Sequence, residues 1–243
     1  MTAEPRPAFY ALAPGGWRDY ATLLHPPYTL WHLSYVAIGA AIAPRFDAGV
    51  LGLTMLAFFL ALGIGAHALD ELNGRPLRTR IPSRTLAALA VGSIAAASAI
   101  GVVVALRRDL WLLAFVGAGS LLVVAYNLEL FGGALHGDLW FALAWGAFPV
   151  LTAFFASAEE IRIEAVVAAA AAALLSHAQR RLSTQVRDVR RRAASVTGRI
   201  EWQDGRAEPL DANALTRIPE QALQALTAAV VLLALALVLM RVT

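Results

Sequence analysis

The chain has 243 residues, of which 59% are hydrophobic and only 15% charged, whereas soluble domains carry about 25% charged residues. This composition excludes an ordinary soluble domain and indicates a membrane protein. All 20 basic residues are arginines, and against 17 acidic residues they leave a net charge of +3, which is too small a surplus for a nucleic-acid-binding protein. The absence of cysteine excludes disulfides and thiol chemistry, so any metal ligands must be His, Asp, Glu or Asn side chains.

Seven apolar runs are candidate membrane spans, because a helix that crosses a bilayer needs roughly 20 mostly apolar residues. A polar N-terminal segment, residues 1–27, precedes them and does not resemble a secretory signal peptide. The sixth run is short, and we expect it to continue into the polar helix behind it. The runs cover residues 28–43, 48–68, 86–106, 110–126, 139–158, 165–177 and 219–240. The whole chain, residues 1–243, is therefore predicted to be one polytopic membrane domain.

The distribution of arginine predicts how this domain is oriented. Fifteen arginines lie before the first run, after the second or after the sixth, and five lie in the remaining connections and at the C-terminal end. Under the positive-inside rule, the N-terminus is cytoplasmic and the C-terminus is outside the plasma (inner) membrane. The segment 178–217 is then a basic cytoplasmic helix and loop, in which Asp204-Gly205 predicts a tight hairpin turn.

Polar residues gather at the predicted cytoplasmic end of the second run. His67, Asp70 and Glu71 are spaced at i, i+3 and i+4 and therefore share one helix face. The helix dipole disfavours an acid at a helix C-terminus by about 0.3–1 kcal/mol, so we expect a cationic partner. That partner is either a divalent metal ion or Arg75, four residues after Glu71. A polar network without any ligand is the alternative interpretation.

Two further polar clusters lie on the same side. The loop between runs four and five carries Asn127, Glu129, His136 and Asp138. After the sixth run, apolar residues at helical spacing predict an amphipathic helix. Its polar face holds Arg180, Arg181, Arg187, Asp188 and Arg190 to Arg192. These arginines are either substrate contacts or topology determinants that contact lipid headgroups.

Several other side chains have simple structural interpretations. His25, His32 and His177 are interpreted as structural residues of the helices that carry them. Tyr126, Trp140 and Trp145 fit the aromatic belt found at membrane interfaces.

The order of these segments resembles the UbiA prenyltransferase superfamily, whose members are intramembrane helical enzymes that use magnesium held by two acidic motifs. Residues 23–40 are similar to the family's first span, and residues 78–86 to the loop after its first acidic motif. Residues 125–151 are similar to its fourth and fifth spans, and residues 180–198 fall where its second acidic motif belongs. The apolar runs predict an all-α integral membrane protein of about seven transmembrane helices, whereas the family has nine. The resemblance implies that these helices form a UbiA-like bundle with a cytoplasm-facing cavity.

Both acidic motifs depart from the family's pattern, which is an Asn followed by acids four and eight residues later. In this chain the two motifs read His67, Glu71, Arg75 and Thr184, Asp188, Arg192. The middle acid is present in each motif, and an arginine replaces the last. The spacing predicts two ion pairs at i, i+4 in place of part of the magnesium clamp.

The resemblance implies an enzyme that binds a prenyl diphosphate, a lipophilic acceptor and Mg²⁺, and that transfers or cyclises the isoprenoid. The candidate catalytic residues are Asp70, Glu71, Tyr126, Asn127 and Asp188. The candidate substrate contacts are Arg75, Arg78, Arg80, Arg180, Arg181 and Arg187. The candidate metal ligands are His67, Asp70, Glu71, Glu129, His136, Asp138 and Asp188.

Two alternatives remain open at this point. In one, histidines and carboxylates from two loops hold Zn, Mn or Fe, and the enzyme acts on a membrane lipid or quinone. In the other, the chain is a non-catalytic UbiA-like scaffold that binds a lipid, as the replacement of two acids by arginine favours.

Overall fold

The structure, a computed structural model, describes residues 6–243. The chain is almost entirely helical, as the sequence predicts. A short helix, α1 (Trp17–Leu23), precedes seven longer ones. Their bounds are α2 Pro26–Ile42, α3 Ala48–Leu72, α4 Ser83–Arg107, α5 Leu112–Asn127, α6 Asp138–Ala158, α7 Ile163–Arg187 and α8 Ala212–Val242.

Four of these helices, α3, α4, α6 and α8, are long and apolar enough to cross a membrane. Helix α5 is also apolar but has 16 residues, and α2 has 17. The structure thus confirms an all-helical protein with apolar helices of membrane-spanning length, whereas the number of seven spans stays a prediction.

The helix bounds agree with the predicted runs except at two ends. Helix α7 continues through one further turn, Asp188–Arg192, so the sixth apolar run does extend into a polar helix. Helix α8 begins at Ala212, well before the apolar run, because Asp211 caps it by accepting a hydrogen bond from the Ala214 backbone N–H at 2.8 Å.

Helix α2 is the centre of the bundle and packs against α6 and α8. Trp31 and Tyr35 of α2 are fully buried against Val150 of α6. One turn further along α2, Gly39 lies so close to the Val150 carbonyl that any side chain would collide with it. Such close approach through a small residue is typical of membrane helices, whose association depends on van der Waals packing.

Three helical segments have π-helical geometry, in which each turn holds an extra residue. They are Phe59–Ala66 within α3, Leu143–Ala147 within α6 and Asp188–Arg192 after α7. Segments of this kind occur frequently at functional sites. Residues from all three line one polar cavity.

A small hairpin interrupts the helices between α7 and α8. Strands β1 (Arg199–Glu201) and β2 (Ala207–Pro209) pair antiparallel. The predicted turn is confirmed, because Gly205 has a positive φ of 82° and the Trp202 backbone N–H donates to the Arg206 carbonyl at 2.8 Å.

Candidate functional site

The polar cavity has a volume of about 550 Å³, within the range of small-molecule sites. It lies where α2 and α6 begin and where α3, α5 and α7 end, and residues 7–10 of the N-terminal segment form one wall. The predicted site residues that line it are His67, Asp70, Tyr126, Asn127, Glu129, His136, Arg180, Arg187 and Asp188. Residues of all three polar clusters therefore line one cavity.

The structure corrects the prediction that Glu71 belongs to the site, because Glu71 does not line the cavity. Its carboxylate is fully buried in the turn after α3. Oε2 accepts a hydrogen bond from the Leu77 backbone N–H at 2.9 Å, and Oε1 accepts from the backbone N–H and the hydroxyl of Thr79 at 2.8 Å each. Glu71 thus shapes the loop between α3 and α4, which leaves it poorly placed as a metal ligand or base.

The predicted helical pair of Glu71 with Arg75 is wrong, because α3 ends at Leu72 and Arg75 lies in the loop with a φ of 54°. The Arg75 guanidinium donates to the Ile81 carbonyl at 2.6 Å and to the Ser83 hydroxyl at 2.7 Å. Arg75 therefore holds the loop together.

The other arginines predicted in this loop, Arg78 and Arg80, have exposed side chains and do not line the cavity.

The second acid–arginine pair is confirmed. Arg192 lies 3.1 Å from Asp188, and both side chains are at least half exposed. Both residues line the cavity, so this ion pair lies at the edge of the site.

Arg180 is the most firmly held arginine of the cavity. Its Nε donates to Asp138 Oδ1 at 2.6 Å, and its guanidinium also contacts the Tyr126 hydroxyl. Arg181 lies 3.5 Å from the other oxygen of Asp138. Asp138 and Arg181 do not line the cavity, so Asp138 orients an arginine and its predicted role as a metal ligand is not supported.

Aromatic rings form one wall of the cavity. The Tyr126 ring lies 4.4 Å from His136 and 4.3 Å from Trp145, and Phe141 stacks on Trp145. Tyr126 and Trp145 are buried, so their interpretation as residues of an interfacial belt is wrong.

Two histidines interpreted as structural, His25 and His32, line the cavity. The Tyr10 hydroxyl lies 2.7 Å from His25 Nδ1, and the His25 ring stacks on His67 with centroids 4.0 Å apart. Within residues 6–243, His25 Nε2 is buried without a hydrogen-bond partner. Burial and the neighbouring His67 lower the pKa of His25 well below its usual value, so this ring is neutral.

The π-helical segments supply carbonyl oxygens to two of the cavity histidines. His67 Nδ1 lies 3.1 Å from the Gly63 carbonyl, and His32 Nδ1 lies 2.9 Å from the Trp145 carbonyl. A sequence signal for His32 did exist, because Tyr28 and His32 are four residues apart and therefore share one face of α2.

Three charged side chains of the cavity have few protein contacts. Arg187 donates to the Thr184 hydroxyl of its own helix at 2.8 Å, and Arg191 donates to the Pro7 carbonyl at 3.1 Å. Within the described range 6–243, the Asp70 carboxylate takes part in no hydrogen bond or ion pair. The cavity thus holds two arginines and a carboxylate whose polar atoms are largely available to a ligand.

The predicted magnesium clamp does not fit the residues of the cavity. Over residues 6–243, no group of three or more His, Asp and Glu side chains is arranged to hold a metal ion. Glu71 is bound to the loop, Asp138 to Arg180 and Asp188 to Arg192. Three of the carboxylates that a clamp could use are therefore already bound, two of them by arginines.

An apolar slot of about 100 Å³ lies between α3, α4, α5 and α6. Phe58, Leu62 and Val123 line it, and Trp145 lines both the slot and the polar cavity. Trp145 therefore borders both spaces.

Comparison with known proteins identifies no relative. No family model, no curated protein and no solved structure matches the chain.

Proposed function

We propose that this chain is a UbiA-like intramembrane enzyme that binds an isoprenoid diphosphate in the polar cavity and transfers or cyclises the isoprenoid. The observation that carries the proposal is an arginine-lined cavity beside an apolar slot, with Trp145 bordering both. A molecule with an anionic head and a hydrocarbon tail suits this pair of spaces.

The diphosphate head is assigned to Arg180, Arg187 and Arg191, which all line the cavity. Arginine forms bidentate, charge-assisted hydrogen bonds with phosphate oxygens. Asp138 and Tyr126 fix the orientation of Arg180, whereas Arg187 forms no hydrogen bond or ion pair beyond its own helix within the described residues. The diphosphate would therefore meet the preorganised guanidinium of Arg180 and the guanidinium of Arg187, which can adjust its position.

The isoprenoid is assigned to the slot and to the aromatic wall beside it. When the bond between C1 of the isoprenoid and the diphosphate oxygen breaks, the electron pair leaves with the diphosphate and an allylic cation remains. The faces of Tyr126, Phe141 and Trp145 stabilise such a cation. An apolar surrounding also excludes water that would trap it.

Asp70 is the proposed general base, because it lines the cavity and has no partner among the described residues. A nucleophilic atom of the acceptor forms a bond to C1, and its proton passes to the Asp70 carboxylate. In a cyclisation, the proton comes from the carbocation itself. Gln179 also lines the cavity, and its buried side-chain oxygen, Oε1, has no hydrogen-bond donor within residues 6–243. A co-substrate with a hydroxyl or amine group could donate to this oxygen, which favours such a group on the molecule that receives the isoprenoid.

No step is assigned to magnesium, because the cavity residues do not form the family's clamp. The arginines supply the positive charge that stabilises the departing diphosphate. Diphosphate binding is consequently expected to persist in a chelator.

The proposed orientation places the cavity end of the bundle in the cytoplasm and gives the chain seven spans. The supporting feature is the split of fifteen arginines against five. In addition, the C-terminal end lies at the opposite end of the bundle from the cavity, where Arg241 donates to the Ala43 carbonyl at 2.8 Å. Reporter fusions at Gly205 and Thr243 test this topology, and two cytoplasmic reporters would contradict it.

Titration of the purified protein with geranylgeranyl diphosphate, once with magnesium and once with chelator, tests the ligand. Release of pyrophosphate in the presence of a membrane lipid extract tests the chemistry. We expect binding in both buffers and release of pyrophosphate. Binding without release of pyrophosphate would favour the non-catalytic lipid-binding scaffold. No binding in either buffer would contradict the proposal of an isoprenoid ligand.

Metal analysis and lipid mass spectrometry on the same preparation address the metal-dependent alternative. A stoichiometric transition metal without a bound prenyl diphosphate would favour an enzyme that acts on a lipid or quinone.

A further inference from the structure

Helix α1 exposes aromatic side chains at the cavity end of the bundle. Trp17 is 70% exposed and Tyr20 is 44% exposed. The two residues are three positions apart, so they lie on one face of the helix. Exposed aromatic rings of this kind are enriched where a protein meets the headgroup region of a bilayer.

Three arginines of α1 and of the chain segment that follows α3 are also exposed. Arg18 belongs to α1, Arg80 to the loop after α3, and Arg84 to the first turn of α4. The backbone brings the loop to the helix, because Asp19 accepts a hydrogen bond from the Arg80 backbone N–H at 2.9 Å. We call Trp17, Arg18, Tyr20, Arg80 and Arg84 the α1 surface.

The α1 surface is held rigidly although its side chains face outward. The Asp19 side chain is buried and also accepts from the Gly15 backbone N–H at 2.9 Å. The Thr22 hydroxyl accepts from the Leu12 backbone N–H at 3.0 Å. These two bonds tie α1 to the segment before it, and the bond from Arg80 ties α1 to the loop after α3, whose last turn also packs against α1.

We propose that the α1 surface binds anionic phospholipid headgroups, with Trp17 and Tyr20 inserted at the bilayer interface and Arg18, Arg80 and Arg84 against the lipid phosphates. Charge complementarity selects this partner, because each arginine near an anionic membrane surface contributes about 1 kcal/mol. The surface is separate from the polar cavity, since Trp17, Arg80 and Arg84 are not among the residues that line it. The proposal does not depend on the isoprenoid chemistry.

The test uses the full chain in nanodiscs that contain phosphatidylcholine and phosphatidylglycerol at a fixed ratio. In parallel samples, either lipid carries bromine on its acyl chain and quenches nearby tryptophan. Subtracting the signal of Trp17→Phe isolates Trp17 from the other tryptophans. We expect brominated phosphatidylglycerol to quench Trp17 at least twice as strongly as brominated phosphatidylcholine.

The double variant Arg80→Gln/Arg84→Gln should lower the affinity for phosphatidylglycerol about fivefold per arginine, so that the two lipids quench Trp17 nearly equally. It keeps the backbone contact between Arg80 and Asp19. The matched control is Arg199→Gln/Arg206→Gln, which removes the same charge from the exposed hairpin and should leave the preference unchanged.

Three results would overturn the proposal. Equal quenching by both lipids in the wild type would show no charge selection, and a preference that survives in the Arg80/Arg84 variant would assign it to other residues. Weak quenching by both lipids that varies with protein concentration would show that a second copy of the chain covers Trp17.

Discussion

The two ends of the helical bundle use arginine in different ways. At the end opposite the cavity, Arg108 donates to the Ala156 and Ser157 carbonyls at 3.2 and 3.0 Å and lies 3.5 Å from Glu159. Arg45 donates to the Ala158 carbonyl and Arg241 to the Ala43 carbonyl. These arginines satisfy carbonyl groups at helix ends that would otherwise lack donors.

At the cavity end, the arginines are only partly used by the protein. Arg180 is held by a carboxylate and a hydroxyl, but Arg187 contacts only its own helix within the described residues and Arg191 a single carbonyl. Asp70 beside them has no partner in the part of the chain that the structure describes. The number of arginines at one end of the bundle therefore does not identify a site. Arginines whose hydrogen-bond donors lack protein partners do.

The largest expected effect concerns Glu71, which lies at the cavity end but, like the arginines of the opposite end, is bound by groups of the protein itself. Glu71→Ala removes the acceptor for two buried backbone N–H groups and one hydroxyl, and should lower the free energy of unfolding by about 3 kcal/mol. Denaturant titration in detergent measures it. Glu71→Gln, which keeps an acceptor oxygen, should cost less. A Glu71→Gln variant of wild-type stability that releases no pyrophosphate would instead identify Glu71 as catalytic.

Arg108 tests the opposite end of the bundle. Arg108→Met should lower the free energy of unfolding by about 2 kcal/mol, because two carbonyl groups and Glu159 lose a charged donor. The affinity for geranylgeranyl diphosphate should stay unchanged. A loss of affinity with unchanged stability would contradict the assignment of this end as purely structural.

Arg187 should show the reverse pattern. Arg187→Gln should weaken geranylgeranyl diphosphate binding about tenfold, which corresponds to about 1.4 kcal/mol. Its unfolding free energy should change by less than about 0.5 kcal/mol, as is usual for surface substitutions away from key contacts. Isothermal titration and denaturant unfolding on one preparation measure both. The exposed Arg181 is the matched control, and equal losses in both variants would indicate a general charge effect.

The helices could be predicted from sequence because an apolar run of this length forms a helix in a membrane, where the backbone must make all its own hydrogen bonds. A shared cavity for Glu71, His136 and Asp188 could also be predicted, since all three lie beside runs that end on the same side, but only His136 and Asp188 line it. The roles of Glu71 and Arg75 could not, because a loop hydrogen bond depends on backbone angles such as the φ of 54° at Arg75. The π-helical segments and the stacking of His25 on His67 likewise arise from packing between helices.

The smallest effect on stability is expected at the rim of the cavity, where Asp188 pairs with Arg192 at 3.1 Å. This pair is exposed and contributes about 0.2–0.5 kcal/mol, so Arg192→Asp should unfold almost as the wild type does. Its ligand binding should change more, because a second carboxylate would face the diphosphate without a cation between them. In chelator we expect about fivefold weaker binding, since a nearby like charge costs on the order of 1 kcal/mol.

Magnesium should restore the affinity of Arg192→Asp, because two carboxylates and a diphosphate supply the oxygen ligands that Mg²⁺ prefers. Arg192→Gln removes the arginine without adding an acid and should show no dependence on magnesium. The wild type should also bind equally well with magnesium and with chelator. Geranylgeranyl diphosphate titrations of all three proteins decide the matter: a wild type that requires magnesium would mean that a metal, and not the arginines, holds the diphosphate.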